Sequence, residues 1–134
     1  MGYYSDVYLV LNEKTHEQLQ EKLTEFITSV KDYCNTSIKD LLWGLKIEVF
    51  KKEKENIYLY RWEHIKWYIG DKKNYPVVFI TEESMNEFNG KDFFFLRIGE
   101  DWFDIETKGC FDYCFSPYKE MFANVLNYNN KNNS

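Results

Sequence analysis

Several things are scarce in this 134-residue chain: it has three cysteines, two histidines, two prolines and six glycines. No apolar run approaches the ~20 residues that a membrane-spanning helix needs. An odd cysteine count (Cys34, Cys110 and Cys114), with no basic-apolar-small N-terminal pattern of a secreted protein, argues against a disulfide framework. Cys110 and Cys114 could supply two metal ligands. Structural zinc asks for four, and the other candidates, Cys34, His16 and His64, are scattered along the chain. Small buried hydrophobes are the simpler reading of the cysteines. No serine sits in a nucleophile elbow, and the glycines build no phosphate-cradling loop. Positive charge is also short, with 17 Lys and Arg against 22 Asp and Glu for a net of −5. Binding to a phosphate backbone runs on clustered Lys and Arg, so this balance disfavours nucleic acid as a partner. The expectation is a soluble cytoplasmic protein, not an enzyme, with no membrane partner, cofactor, metal or catalytic residue.

What is abundant is aromatic. Eleven Tyr, eleven Phe and four Trp make up 19% of the chain, and apolar residues reach 44%. That is enough to bury a core and to exclude wholesale disorder. The length fits one domain, expected over residues 1–126, with an Asn-rich tail over 127–134. Acid is concentrated: between Glu82 and Glu106 eight carboxylates face two cations, a local charge of −6, so the remainder carries about +1. Such a segment suits contact with a basic protein surface, although a merely solvated acidic turn has the same composition.

Alternation over Tyr3 to Leu11 predicts a strand with Val7, Leu9 and Leu11 on one face. Thr15 and Gln18 have the form of a capping box, and a helix should follow with the stripe Leu19, Leu23, Phe26, Ile27, Val30 and Cys34. Ile38, Leu41 and Leu42 make a short turn ending near Gly44. Leu45 to Lys52 and Ile57 to Glu63 then read as a hairpin. Pro76 suits the start of a second helix ending at Asn89-Gly90, although the quartet Val77-Val78-Phe79-Ile80 is β-branched enough to be a strand instead. Strands are expected at Phe93 to Ile98 and Trp102 to Glu106, with another possible over Cys110 to Phe115. Ser116-Pro117 opens a last helix carrying Tyr118, Met121, Phe122, Val125 and Leu126. The order is that of an α+β fold of the ferredoxin-like, split β-α-β kind: an antiparallel sheet with two helices on one face, plus C-terminal additions.

The strand pattern further predicts that aliphatic side chains (Val7, Leu9, Leu45, Ile47, Val49, Ile57, Leu59, Leu96, Ile98) face the helices. The rings of Tyr4, Tyr8, Phe50, Tyr58, Tyr60, Trp62, Phe93 and Phe95 would then lie on the opposite face. A ring-rich face of that size needs a cover: the chain's own end through Phe111, Phe115, Met121 and Phe122, a second copy in a homodimer, or a foreign partner.

Candidate chemistry is sparse. Glu100, Asp101, Asp104 and Glu106 could gather around Mg²⁺ or Ca²⁺, but they lack the spacing and glycine of a calcium loop. A carboxylate edge that deters strand addition is the plainer reading. His64 lies beside Trp62 and Trp67, a setting more often packed than catalytic. The run Lys91 to Ile98 echoes the aromatic strand of an RNA-recognition domain but lacks that motif's glycine.

Three segments, Met1-Gly2-Tyr3-Tyr4-Ser5-Asp6-Val7, then Trp62-x-x-Ile65-Lys66-Trp67-Tyr68, then Arg97-Ile98-Gly99-Glu100-Asp101-x-x-Asp104-Ile105-Glu106, together resemble a family of small bacteriophage and mobile-element accessory proteins of low-GC Gram-positive bacteria. The resemblance covers roughly residues 1–106. It implies an accessory role in an infected cell, by analogy the inhibition of host machinery, as anti-CRISPR and other anti-defence proteins do. The expectation is therefore a non-enzymatic binding protein acting on a host protein through Trp62, Trp67, Glu100, Asp101, Trp102, Asp104 and Glu106. Rings would supply contact area and carboxylates would steer toward Lys and Arg. A single-stranded nucleic-acid binder using the sheet tyrosines, and a metal-dependent hydrolase using the carboxylates, are the alternatives.

Overall fold

The computed structural model describes residues 3–30, 37–101 and 104–111. In chain order these form β1 (Ser5–Leu11), α1 (Glu13–Val30), the single turn α2 (Ile38–Leu41), β2 (Lys46–Lys52), β3 (Glu55–Ile65), α3 (Pro76–Glu87), β4 (Phe93–Gly99) and β5 (Ile105–Lys108). The five strands make one antiparallel sheet in the order β2-β3-β1-β4-β5. The protein is thus α+β. Among the described residues no helix is long and apolar enough to cross a membrane.

Helix α1 starts earlier than its capping box implies. Asn12, not Thr15, is the cap: its Oδ1 accepts from the Thr15 amide at 3.0 Å and from Thr15 Oγ1 at 2.9 Å. Asn12 Nδ2 also donates to Asp92 Oδ1 at 3.0 Å, so one side chain starts the helix and ties it to the approach to β4. Asn12→Ala should cost about 1–2 kcal/mol, read as a lowered urea midpoint with an unchanged slope. Pro76 opens α3 as expected, with its ring at the helix start where the missing N–H leaves nothing unpaired.

Both long helices pack on the same side of the sheet. Leu19 and Leu23 of α1 and Val77, Val78 and Met85 of α3 form one buried cluster with Val7, Leu9, Leu11, Tyr60, Trp62, Phe93 and Phe95. This corrects the expected sorting of rings from aliphatics. β1 and β2 face as predicted, but β3 and β4 are turned over. Leu9 lies opposite Tyr60 and Phe95, and Val7 opposite Trp62, so the rings of β3 and β4 fill the space under the helices. Ile57, Leu59, Leu96 and Ile98 instead share the other face with Val10, Phe94 and Phe111 in a second buried cluster, against which Tyr8 and Phe50 pack. No residue of a described helix belongs to that cluster. The physical reason is that β3 and β4 carry large apolar side chains on both faces, while their charges mark opposite rows: Arg61 and Glu63 run in phase with Ile57 and Leu59, but Arg97 runs in phase with Phe93 and Phe95. Alternation inside such a strand sorts its side chains into two sets without saying which set points inward, and a one-residue change of register exchanges them.

The tyrosines are held by more than packing. Tyr60 Oη lies 2.6 Å from His16 Nδ1 and accepts from Gln20 Nε2 at 2.8 Å, while the His16 ring stacks on Tyr58 at 3.6 Å. Burial pushes the Tyr60 phenol up to about 12 and the His16 imidazole below its ordinary value. A platform of β3 tyrosines open to stacking bases is therefore absent from this fold: Tyr58 and Tyr60 are engaged under α1.

Cys34, Trp102, Phe103, the strand residues expected over 112–115, the helix expected from Ser116 and the Asn-rich tail lie outside the described residues. Strand β5 begins at Ile105, not Trp102, and Cys110 and Phe111 lie outside any strand.

Candidate functional site

One end of the sheet gathers the start of β1, the chain leaving β3, the end of β4 and the start of β5. A β-bulge at the end of β3 shapes it: the three residues of β1 from Ser5 to Val7 face the four of β3 from Ile65 to Trp62. The extra residue is accommodated with His64 at φ 51, its amide donating to Asp6 Oδ1 at 2.8 Å and its ring stacked on Tyr4. The bulge sends the following segment across the sheet end, where Trp67, Tyr68 and Ile69 form one wall of a cavity of about 500 Å³. Tyr3 and Ser5 form a second wall, and Arg97, Asp104 and Glu106 complete it.

Arg97 is the centre of this site. Its Nε donates to Glu106 Oε1 at 3.0 Å, Nη2 to Asp104 Oδ1 at 3.0 Å and Nη1 to Ser5 Oγ at 3.1 Å. Burial opposes its charge, but the hydrogen bonds to Asp104 and Glu106 outweigh that and hold the guanidinium above its ordinary pKa. Beside it Tyr3 Oη donates to Asp104 Oδ2 and accepts from the Asp101 amide. Arg97 first, and Tyr3 second, keep the Asp104 carboxyl below the usual range, so it stays ionised at any physiological pH. Burial and the Asp104 bond raise the Tyr3 phenol.

These bonds pin the turn after β4. The Tyr4 amide donates to Glu100 Oε1 at 2.8 Å, and the Gly99 amide to the Asp104 carbonyl at 2.8 Å. A Cβ on Gly99 would collide with Asp104 Oδ2 and Tyr3 Oη, so any larger residue there would displace the two groups of the Tyr3–Asp104 bond. Glu100 and Asp101 themselves are exposed, and neither has a cation partner among the described residues. Deeper in, the buried Glu82 of α3 accepts from Trp67 Nε1 at 2.8 Å and from Lys108 Nζ, fastening the cavity wall to β5.

The residues expected to make contact separate into groups. Trp67, Asp104 and Glu106 line the cavity, while Glu100 and Asp101 lie outside its lining and are tied to it by their bonds with Tyr4 and Tyr3. Trp62 does not belong: it is fully buried (0% exposed) under the helices, its Nε1 donating to the Leu42 carbonyl at 3.1 Å. Trp67 is only 6% exposed. These two rings are thus structural, which corrects their expected role as contact area. Trp102 lies outside the described residues. The sequence reading missed Tyr3, Ser5, Tyr68, Ile69, Arg97, Glu82 and Lys108. One signal was available, because Arg97 and the pair Asp104 and Glu106 are spaced as facing positions of a tight β4–β5 hairpin, and Arg97 does pair with Glu106.

Chemically this is a site of fixed carboxylates. Arg97 is committed to internal partners, and Asp104 is a poor proton donor. Among the described residues no three His, Cys, Asp or Glu side chains group to hold a metal ion. No family model matches the sequence, no curated protein matches it, and no solved structure matches the fold.

Proposed function

We propose that this chain is a non-enzymatic binding protein that docks a basic protein surface through Glu100, Asp101 and the cavity beside them. The observation that carries this reading is the pinned turn: two exposed carboxylates with no cation partner among the described residues, tied through Tyr4 and Tyr3 to a cleft walled by Tyr3, Tyr68 and Ile69. Preorganised charge loses little side-chain freedom on binding and steers encounter with Lys and Arg. The resemblance to phage accessory proteins makes the partner a host protein and the outcome its inhibition, with defence systems such as CRISPR-Cas among the targets. The fold supports a ferredoxin-like assignment through the strand order β2-β3-β1-β4, antiparallel neighbours and two helices on one face, with β5 added at the edge.

Charge reversal on the turn tests the proposal. Glu100→Lys with Asp101→Lys should weaken capture of the host partner about tenfold or more at low salt, and the loss should shrink as salt screens it. Asp104 is not used for this test, because its reversal would release the turn as well as change the charge. Equal affinity and an equal salt slope for wild type and variant, in calorimetry or biolayer interferometry, would reject this surface.

A further inference from the structure

The edge of the sheet farthest from the acidic turn carries a second feature. Strand β2 is seven residues long, forms an outer edge of the sheet among the described residues, and pairs with β3 in unbroken register from Lys46 to Lys52. Edge strands are ordinarily protected by lysines, a proline, a bulge or an inward-pointing charge, and of these β2 has only its lysines, Lys46, Lys51 and Lys52. β2 has no proline or bulge, and its helix-side row is Ile47 and Val49, preceded by the half-buried Leu45 just before the strand. Ile47 is 40% and Val49 56% exposed, which puts two of the large exposed hydrophobics of the described chain on this one strand. On its other side Lys46 sits opposite Arg61 and has no carboxylate partner among the described residues, while Glu48 Oε1 takes Arg61 at 2.7 Å.

We propose that β2 pairs antiparallel with β2 of a second copy of this chain, about a twofold axis perpendicular to the sheet through Ile47. The strand is self-complementary in that register. Leu45 meets Val49 and Ile47 meets its own counterpart, making one apolar row, and on the other side Lys46 meets Glu48 twice. The neighbouring registers fail. Centring on Glu48 opposes two glutamates, and centring on Val49 places Lys51 against Ile47. Same-face alignment permits only such residue-centred choices, because side chains opposite each other must share a face. In the paired form each Lys46 gains the carboxylate that Arg61 shares on the partner strand. An isologous contact of this kind closes as a dimer and does not propagate. It would make a ten-stranded sheet with both acidic turns at its outer ends. It goes beyond the proposed function and is independent of it, since the two surfaces lie on opposite edges.

Sedimentation velocity over a concentration series tests this on the full chain. The wild type should reach twice the 16.3 kDa mass of one chain. K46E and E48K should each sediment as monomers, because each sets like charges opposite each other. A mixture of the two should regain the dimer, as should the double swap K46E/E48K. Far-UV circular dichroism matching wild type shows that each variant is folded, and the mixing result depends on none of them being more stable than the others. A wild type that stays monomeric overturns the proposal. So does a dimer indifferent to both substitutions, or a β2 edge that takes up only an extended segment of a different protein.

Discussion

Trp62→Ala should remove about 3–5 kcal/mol of stability, the range for deleting a fully buried large ring. Two losses combine. A cavity opens between β1, β3 and the helices where Trp62 touches Tyr60 and Trp67, with ring centroids at 6.2 and 5.2 Å. The Leu42 carbonyl also loses its indole donor, which unties the segment between α2 and β2. Trp62→Phe restores most of the volume without the N–H and should cost appreciably less. Urea unfolding followed by circular dichroism measures both. A small domain has about 5–15 kcal/mol in total, so the alanine variant should be partly unfolded at 37 °C. Were Trp62 a surface anchor, as strand alternation implies, both substitutions would lie within about 0.5 kcal/mol of wild type.

The second large effect belongs to Arg97. Arg97→Gln leaves Asp104 and Glu106 facing each other without their shared cation and should cost about 2–3 kcal/mol near neutral pH. This is below the full figure for a buried ion pair because the carboxylates are part-exposed. Its pH dependence is distinctive. Asp104 has a folded pKa below its unfolded one, so its contribution is fully present above the unfolded pKa of about 3.9 and is lost as pH falls through the folded value. Without Arg97 that difference narrows. The variant should therefore show a shallower acid limb than wild type, and the gap between the two should close toward low pH. Parallel stability curves down to pH 2.5 would show that Arg97 is not what holds Asp104 ionised.

The same side chains explain how far the sequence could be read. Local order was legible: α1 from the Leu19 and Leu23 stripe, α3 from Pro76, and β1 and the β2–β3 hairpin from alternation and a polar turn. Each follows from contacts close in sequence. The partition of the two faces was not, because Ile57 and Leu59 are as apolar as Tyr58, Tyr60 and Trp62, and the charges give opposite signals: Arg61 and Glu63 run in phase with Ile57 and Leu59, whereas Arg97 runs in phase with Phe93 and Phe95. Only the pairing of Leu9 with Tyr60, 51 positions apart, settles it. Half of the candidate site was visible as charge: Glu100, Asp101, Asp104 and Glu106 stood out by density. Its other half was not, because Tyr3 and Tyr68 reach the turn only once β1 sits between β3 and β4 and the bulge at His64 has redirected the chain.

The docking place proposed here is therefore the turn after β4 rather than a tryptophan-bearing face. Site-specific photocrosslinking in the host cell addresses this directly. A benzoylphenylalanine probe is placed singly at Asp101, at Ile69 and, as controls, at the exposed Glu17 and Glu21 of α1. The account predicts one host protein crosslinked from Asp101 and Ile69 and nothing specific from α1. Adducts from α1 alone, or none from Asp101 and Ile69 while the protein is active in the cell, would contradict it.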